Sequence, residues 1–171
     1  MGYHYGDFLG YGRNNRNMTR TPYDTVMVSG GFDPMHIGHV RMIQEAAREF
    51  GEVIVAVNSD DWLLRKKGYV FMPWEERAEI AASIQGVSKV VAFDDADDTA
   101  CDAIRTYKPT FFANGGDRTT NNTPEQTVCE ELGVTMVWGV GGGKIQSSSD
   151  LVDGSAEHLQ IRDNRDWPHG V

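Results

Sequence analysis

The chain has 171 residues, 40% of them hydrophobic, and a formal net charge of −9, a length that suits one domain able to bury a core without disulfide or metal staples. The acidic balance argues against a nucleic-acid binder, which needs clustered Lys and Arg to displace counter-ions, but it leaves room for a small anionic substrate wherever the 16 basic residues gather. Two cysteines, Cys101 and Cys129, fit a reducing compartment, and no apolar run approaches a membrane span or a signal-peptide core, so a cytoplasmic chain without membrane contact is expected.

Residues 1–24 are rich in Gly, Tyr, Asn and Arg without apolar periodicity and read as a flexible arm. The run Thr25-Val26-Met27-Val28 predicts a buried parallel strand, closed by Ser29-Gly30-Gly31. Val40, Ile43, Ala47 and Phe50 then recur at helical spacing up to Gly51, a C-cap candidate. Residues 53–57 predict a second buried strand, and Pro73 followed by Trp74-Glu75-Glu76-Arg77 predicts a helix start with acids in its first turn. A third strand is expected over 90–93, a helix over 99–107, and a fourth strand over 110–113. Thr123 and Pro124 open another helix, which ends at Gly133, and residues 134–138 predict a fifth strand. Residues 153–171 read as a polar tail, leaving 25–152 as a single domain. Strands alternating with helices imply a parallel sheet wrapped on both faces.

In such a sheet ligands bind outside the carboxyl ends of the strands. After the first strand stands Ser29-Gly30-Gly31-Phe32-Asp33-Pro34-Met35-His36-Ile37-Gly38-His39. Glycines there let backbone approach a phosphate chain, and a helix beginning near Ile37 aims its free amides at that anion. His36 and His39 share a helix face at this spacing, if the helical turn extends through both, with Gly38 between them leaving space for a nucleotide. Imidazoles so placed can donate hydrogen bonds to a phosphate whose charge grows during displacement. As alternatives, Asp33, His36 and His39 could bind a transition metal, Lys66 and Lys67 could lie on a solvated loop, and Arg77 could pair with Glu75 or Glu76. The glycine run 139–143 before Lys144 is not a P-loop, because Trp138 stands at the first required glycine and Ile145 after the lysine. Asp94-Asp95-Ala96-Asp97-Asp98 reads as a solvated loop that caps the next helix, and both cysteines as small apolar residues on helix faces.

The His36-Ile37-Gly38-His39 segment resembles the signature of the H-x-G-H nucleotidyltransferase superfamily. Later segments resemble its cytidylyltransferase-like branch, the bacterial enzymes that activate glycerol 3-phosphate or heptose phosphate. These are Val55-Ala56-Val57-Asn58-Ser59-Asp60, the Lys66-Lys67 pair, Glu76-Arg77, Asn114-Gly115-Gly116-Asp117 and Ile145-Gln146-Ser147-Ser148-Ser149. The resemblance implies a Rossmann-like α/β fold with a doubly wound, five-stranded parallel sheet. It also implies in-line attack by an acceptor phosphate on the α-phosphorus of a nucleoside triphosphate. His36, His39, Lys67 and Arg77 would be catalytic, gripping phosphate oxygens as charge develops. Gly30, Gly31, Phe32, Asp33 and Gly38 would complete the first half of the nucleotide site, with Asp33 fixing the loop or helping to hold a metal-bound phosphate. Asn114, Gly116 and Asp117 would join from the fourth strand, and Ser147, Ser148 and Ser149 from a late helix start. Asn58, Asp60 and Lys66 would meet the acceptor. Mg2+ would come with the phosphates rather than in a protein cage, CTP ranks ahead of ATP as donor, and a homodimer is implied. Two departures stand out: Asp150 occupies a position usually basic in the family, and Asn114 one where relatives carry Lys or Met. Asp150 is the feature that favours a nucleotide-binding module without turnover, and the proline of Gly-Gly-Phe-Asp-Pro is the feature shared with adenylyltransferases that use ATP.

Overall fold

Runs rich in Val, Ile and Phe become parallel strands because helices cover both of their faces. The computed structural model describes residues 24–115, 123–143 and 145–163. Its strands are β1 (Thr25–Gly30), β2 (Glu52–Val57), β3 (Val87–Val91), β4 (Phe111–Gly115) and β5 (Thr135–Val140), all parallel, in spatial order β3-β2-β1-β4-β5. Alternation along β1 divides the core in two. Val26 and Val28 face a cluster containing Ile43 and Ala46 of α1 (Ile37–Phe50) and Ala81 of α3 (Trp74–Ala82). Met27 faces the other cluster, with Ile104 of α4 (Cys101–Tyr107) and Val128 of α5 (Pro124–Leu132). The chain builds outward from β1 to β2 and β3, then crosses to the far side of β1 to lay down β4. The order therefore reverses between β1 and β4, and a crevice opens at their carboxyl ends.

Several expectations shift. The third strand starts earlier than expected, at Val87. The helix α2 (Asp60–Lys67) occupies a stretch read from sequence as loop. It forms without an apolar stripe, since among its residues only Leu63 is buried; end signals specify it instead. Ser59 Oγ accepts from Trp62 N, Asp60 and Asp61 face the N-terminal dipole, Arg65 to Lys67 the C-terminal one, and Gly68 closes it in the left-handed region. A last helix, α6 (Ser148–Asp163), runs through the expected boundary at 152/153. Cys101 and Cys129 are buried free thiols in the α4–α5 cluster, and burial raises both, Cys129 to about 11, as inert packing residues. Among the described residues no helix is long and apolar enough to cross a membrane. The 1–24 arm, apart from Asp24, lies outside the described residues, as do Gly116, Asp117 and Lys144.

Candidate active site

The site is built on the turn between β1 and α1. Phe32 takes a left-handed backbone (φ 52°) that drives its ring into the core, 3% exposed. A Cβ on Gly30 would lie 3.3 Å from that ring, and one on Gly31 would lie 2.9 Å from Leu63 Cδ2. Close side-chain packing at both positions thus accompanies the approach to a phosphate expected of these glycines. Asp33 is fully buried, and its carboxylate accepts from Phe71 N (2.8 Å) and Met72 N (2.7 Å). It ties the loop before α3 to the turn and does not face a ligand. With its oxygens so occupied, the transition-metal alternative loses its carboxylate; among the described residues no group of three or more His, Cys, Asp or Glu is arranged for a metal ion.

The histidines are locked by the helix they start. His36 is the N-cap of α1, and its Nδ1 accepts from Gly38 N at 3.1 Å. His39, three residues on, reaches back so that its Nδ1 accepts from His36 N at 3.2 Å, which makes a reciprocal capping box. The two rings stack at 3.7 Å and 25°, with the Phe32 ring set edge-on to His39 at 5.0 Å. An imidazole whose Nδ1 accepts a backbone N–H carries its proton on Nε2 when neutral, so both rings are Nε2–H donors. Burial, then the neighbouring His36 and Lys67, lowers His39 to about 3, and it is neutral at physiological pH. Gly38 lines the cavity, and a Cβ there would lie 2.9 Å from His36 Cε1, so the missing side chain also makes room for the histidine.

Facing this pair across a cavity of about 600 Å³ is the start of α6. Ser147, Ser148 and Ser149 line it with His36, His39 and Lys67. Ser148 Oγ donates to Pro34 O at 2.9 Å, and Leu151 N donates to Ser147 O in the first turn, fixing the helix end against the β1–α1 turn. Two helix N-termini thus open on one cavity, each with the positive end of its dipole, although the Gly38 and His39 amides of α1 are already bonded within the cap. Lys67 ends α2, and its ammonium donates to Asp33 O at 3.0 Å; burial lowers its pKa from the ordinary value. Met42 of α1, Gly115 at the end of β4 and the glycines 141–143 after β5 line the remaining wall.

Several residues expected at the site are elsewhere. Arg77 is fully buried, and its guanidinium donates to Met72 O (2.9 Å), Gly31 O (2.6 Å), Asn58 O (2.8 Å) and Asp60 Oδ1. It binds three loops together and does not line the cavity. Asn58 is buried too, its amide donating to Asp95 Oδ2 at 3.1 Å, and Asp60 is held by Arg77, so neither lines the cavity. Lys66 turns outward to Asp98 at 3.2 Å. Asn114 sits at the end of β4 with its side-chain nitrogen buried and without a partner, and it does not line the cavity either. Asp95, read from sequence as solvated, is instead 4% exposed. Burial alone would raise it, but hydrogen bonds from Ser59 and Asn58, with Arg65 beside them, hold it below the usual carboxylate value. Sequence reasoning missed Met42 as a cavity residue, although its position three residues beyond His39 was a usable signal.

The sequence model of the cytidylyltransferase-like family matches residues 27–141, from β1 to the first glycine after β5. Among curated proteins the chain is similar to the bifunctional protein HldE of Gluconobacter oxydans, 33% identical over 145 residues, 84% of this chain and 28% of that protein. It is also similar to the bifunctional protein HldE of Geobacter sulfurreducens, 38% identical over 111 residues, 63% of this chain and 22% of that protein. The chain spans well under half the length of these relatives. Among solved structures it is similar to the lipopolysaccharide core biosynthesis protein from Thermoplasma volcanium, with TM-score 0.56 and 22% identity over 67% of this chain and 93% of that one, a likeness of fold.

Proposed function

The chain belongs to the cytidylyltransferase-like family of nucleotidyltransferases, and we propose that its cavity moves CMP from CTP onto the phosphate of a small phosphorylated alcohol or sugar. The acceptor's phosphate oxygen attacks the α-phosphorus and forms the new P–O bond. The bond from that phosphorus to the bridging oxygen breaks, and its electron pair leaves with pyrophosphate. No protein nucleophile takes part, so catalysis consists of positioning and of donors aimed where charge develops.

The observation that carries this reading is the stacked, capped pair His36–His39, whose Nε2–H donors share a cavity with the α6 N-terminus. A neutral donor such as His39 suits a leaving oxygen that gains charge in the transition state, because the hydrogen bond strengthens as the charge grows without a titration step. The first-turn amides of α6 and the hydroxyls of Ser147 and Ser149 would hold the phosphates, with the Lys67 ammonium as their counter-charge. Mg2+ would arrive with the nucleotide and neutralise its phosphates; with the Asp33 carboxylate facing amides, it would be held mainly by phosphate oxygens. ATP is the second reading of the donor, favoured by the Gly30-Gly31-Phe32-Asp33-Pro34 run.

The test is pyrophosphate release from CTP or ATP, with Mg2+, against a panel of glycerol and sugar phosphates. Release that needs CTP and one acceptor supports the proposal, and release that needs ATP moves it to the second donor. Nucleotide binding by calorimetry without release across the panel would leave a binding module. No nucleotide binding at all would overturn the reading.

A further inference from the structure

His36, His39 and Met42 follow one another at three-residue steps along the start of α1, and all three line the cavity. The first two stand at the capped helix end, where each Nδ1 accepts a backbone N–H and leaves its Nε2–H as the donor. Met42 stands a turn deeper, where the amides are already bonded within the helix, and what it offers a ligand is a thioether. Two glycines, one ending β4 and one following β5, give way to it. A Cβ on Gly115, at the end of β4, would lie 2.4 Å from Met42 Sδ. A Cβ on Gly141, just after β5, would lie 2.7 Å from Met42 Cα and 2.8 Å from its Cβ. Part of Met42 packs on the core cluster, while its neighbours Ile43 and Ala46 are the fully buried residues of that helix face. The cavity is therefore graded along the α1 axis: hydrogen-bond donors and Lys67 at the N-terminal end, then a soft apolar floor flanked by glycine backbone.

We propose that Met42 is the floor on which the nucleoside of the donor rests, and the residue whose bulk sets the preference between pyrimidine and purine. The inference rests on the nucleotidyltransferase reading of the same cavity. A flexible, polarizable thioether packs well against the face of a flat heterocycle. Its volume also limits how deeply a base can seat, because Gly115 and Gly141 leave Met42 in place of side chains of their own. Triphosphate held at the helix N-termini would leave the rest of the nucleotide reaching along α1 toward this floor.

Calorimetric titration of the full chain with CTP, ATP and inorganic tripolyphosphate, each with Mg2+, separates the two ends. Met42→Ala is expected to weaken CTP by about tenfold, because the truncated side chain no longer covers the apolar face of the base. Tripolyphosphate affinity should stay within about twofold of wild type, and the CTP-to-ATP affinity ratio should shift toward ATP as the floor deepens. Met42→Leu, which keeps the volume, should restore near-wild-type nucleotide binding. Equal losses for nucleotide and tripolyphosphate in Met42→Ala would mean that the residue only braces the helix, and would overturn the inference alone. An unchanged CTP-to-ATP ratio would overturn the specificity role. Wild type that binds neither nucleotide would overturn the nucleotidyltransferase reading, and the inference with it.

Discussion

His39 has two tasks that one substitution cannot separate but two can. Its Nδ1 closes the capping box on His36 N, and its Nε2–H is the proposed phosphate donor. His39→Ala removes both. Removing the cap costs about 1 kcal/mol of stability, and removing the ring that packs on Phe32 and His36 costs roughly another 1 kcal/mol. His39→Asn places an amide oxygen close to the position of Nδ1 and ends short of Nε2, so it retains the cap and loses the donor. Its stability should fall by about 1 kcal/mol, the ring contribution alone. Both variants should lose on the order of 100- to 1,000-fold in turnover, the usual effect of removing one transition-state donor. Urea unfolding gives the first quantity and pyrophosphate release the second. Should His39→Asn turn over within about tenfold of wild type, the Nε2–H would be no part of the chemistry, and the histidine would be a cap.

Acid stability should carry the mark of the same residue. His39 sits at about 3 when folded against an ordinary 6.5, so between those values the unfolded chain takes up a proton that the folded chain refuses. Its contribution is complete above about pH 6.5 and declines toward pH 3, by up to about 1.4 kcal/mol per pH unit. Urea midpoints from pH 7 down to 4.5 should therefore fall more steeply for wild type than for His39→Asn, and parallel profiles would contradict the assigned neutral state. Asp33→Asn leaves one carbonyl oxygen before two backbone amides, and the orphaned N–H of Phe71 or Met72 costs about 1–3 kcal/mol. Hydrogen exchange at those two amides should speed up, and unchanged protection would show that the carboxylate is not what holds them. Lys66→Ala, which removes an exposed pair with Asp98, should change stability by less than about 1 kcal/mol and leave turnover alone. Lys67→Ala should lower turnover by about 100-fold, and equal losses for the two lysines would contradict their placement, Lys66 toward Asp98 and Lys67 toward the cavity.

What is legible in the sequence is whatever local pattern determines. The central strands β1, β2 and β4 are continuous apolar runs, and each of them lies where the pattern puts it. The β3 strand starts early because its exposed Ser88 and Lys89 break the run, leaving Val90 onward as the visible part. The α2 helix is hidden because caps and end charges specify it and periodicity does not, which is why Lys66 and Lys67 read as neighbours on a loop. On a helix they diverge, one outward to Asp98 and the other inward to Asp33. Arg77 is illegible for another reason. Its partners Gly31, Asn58 and Asp60 are 46, 19 and 17 residues away, and no local pattern shows that an arginine will meet three loops at once.

The disposition of charge explains how an acidic chain can present a site for a polyanion. Two of the charged residues expected near phosphate, Asp33 and Arg77, are both fully buried and both act on one loop. Asp33 holds the amides of Phe71 and Met72, and Arg77 holds the carbonyl of Met72 together with those of Gly31 and Asn58. Those bonds join the β1–α1 turn, the end of β2 and the approach to α3 into one body, so the histidines are fixed before any ligand arrives. The groups left facing the cavity are largely neutral dipoles: imidazole N–H, helix amides and hydroxyls, with Lys67 the cation among the described lining residues. Fixed dipoles need no reorganisation as charge moves to the leaving oxygen, and in a partly desolvated cavity they act at close to full strength. A site built this way draws its affinity from geometry more than from net charge. That is compatible with −9 overall, and it makes the rigidity supplied by Asp33 and Arg77 as necessary to the chemistry as the donors they hold in place.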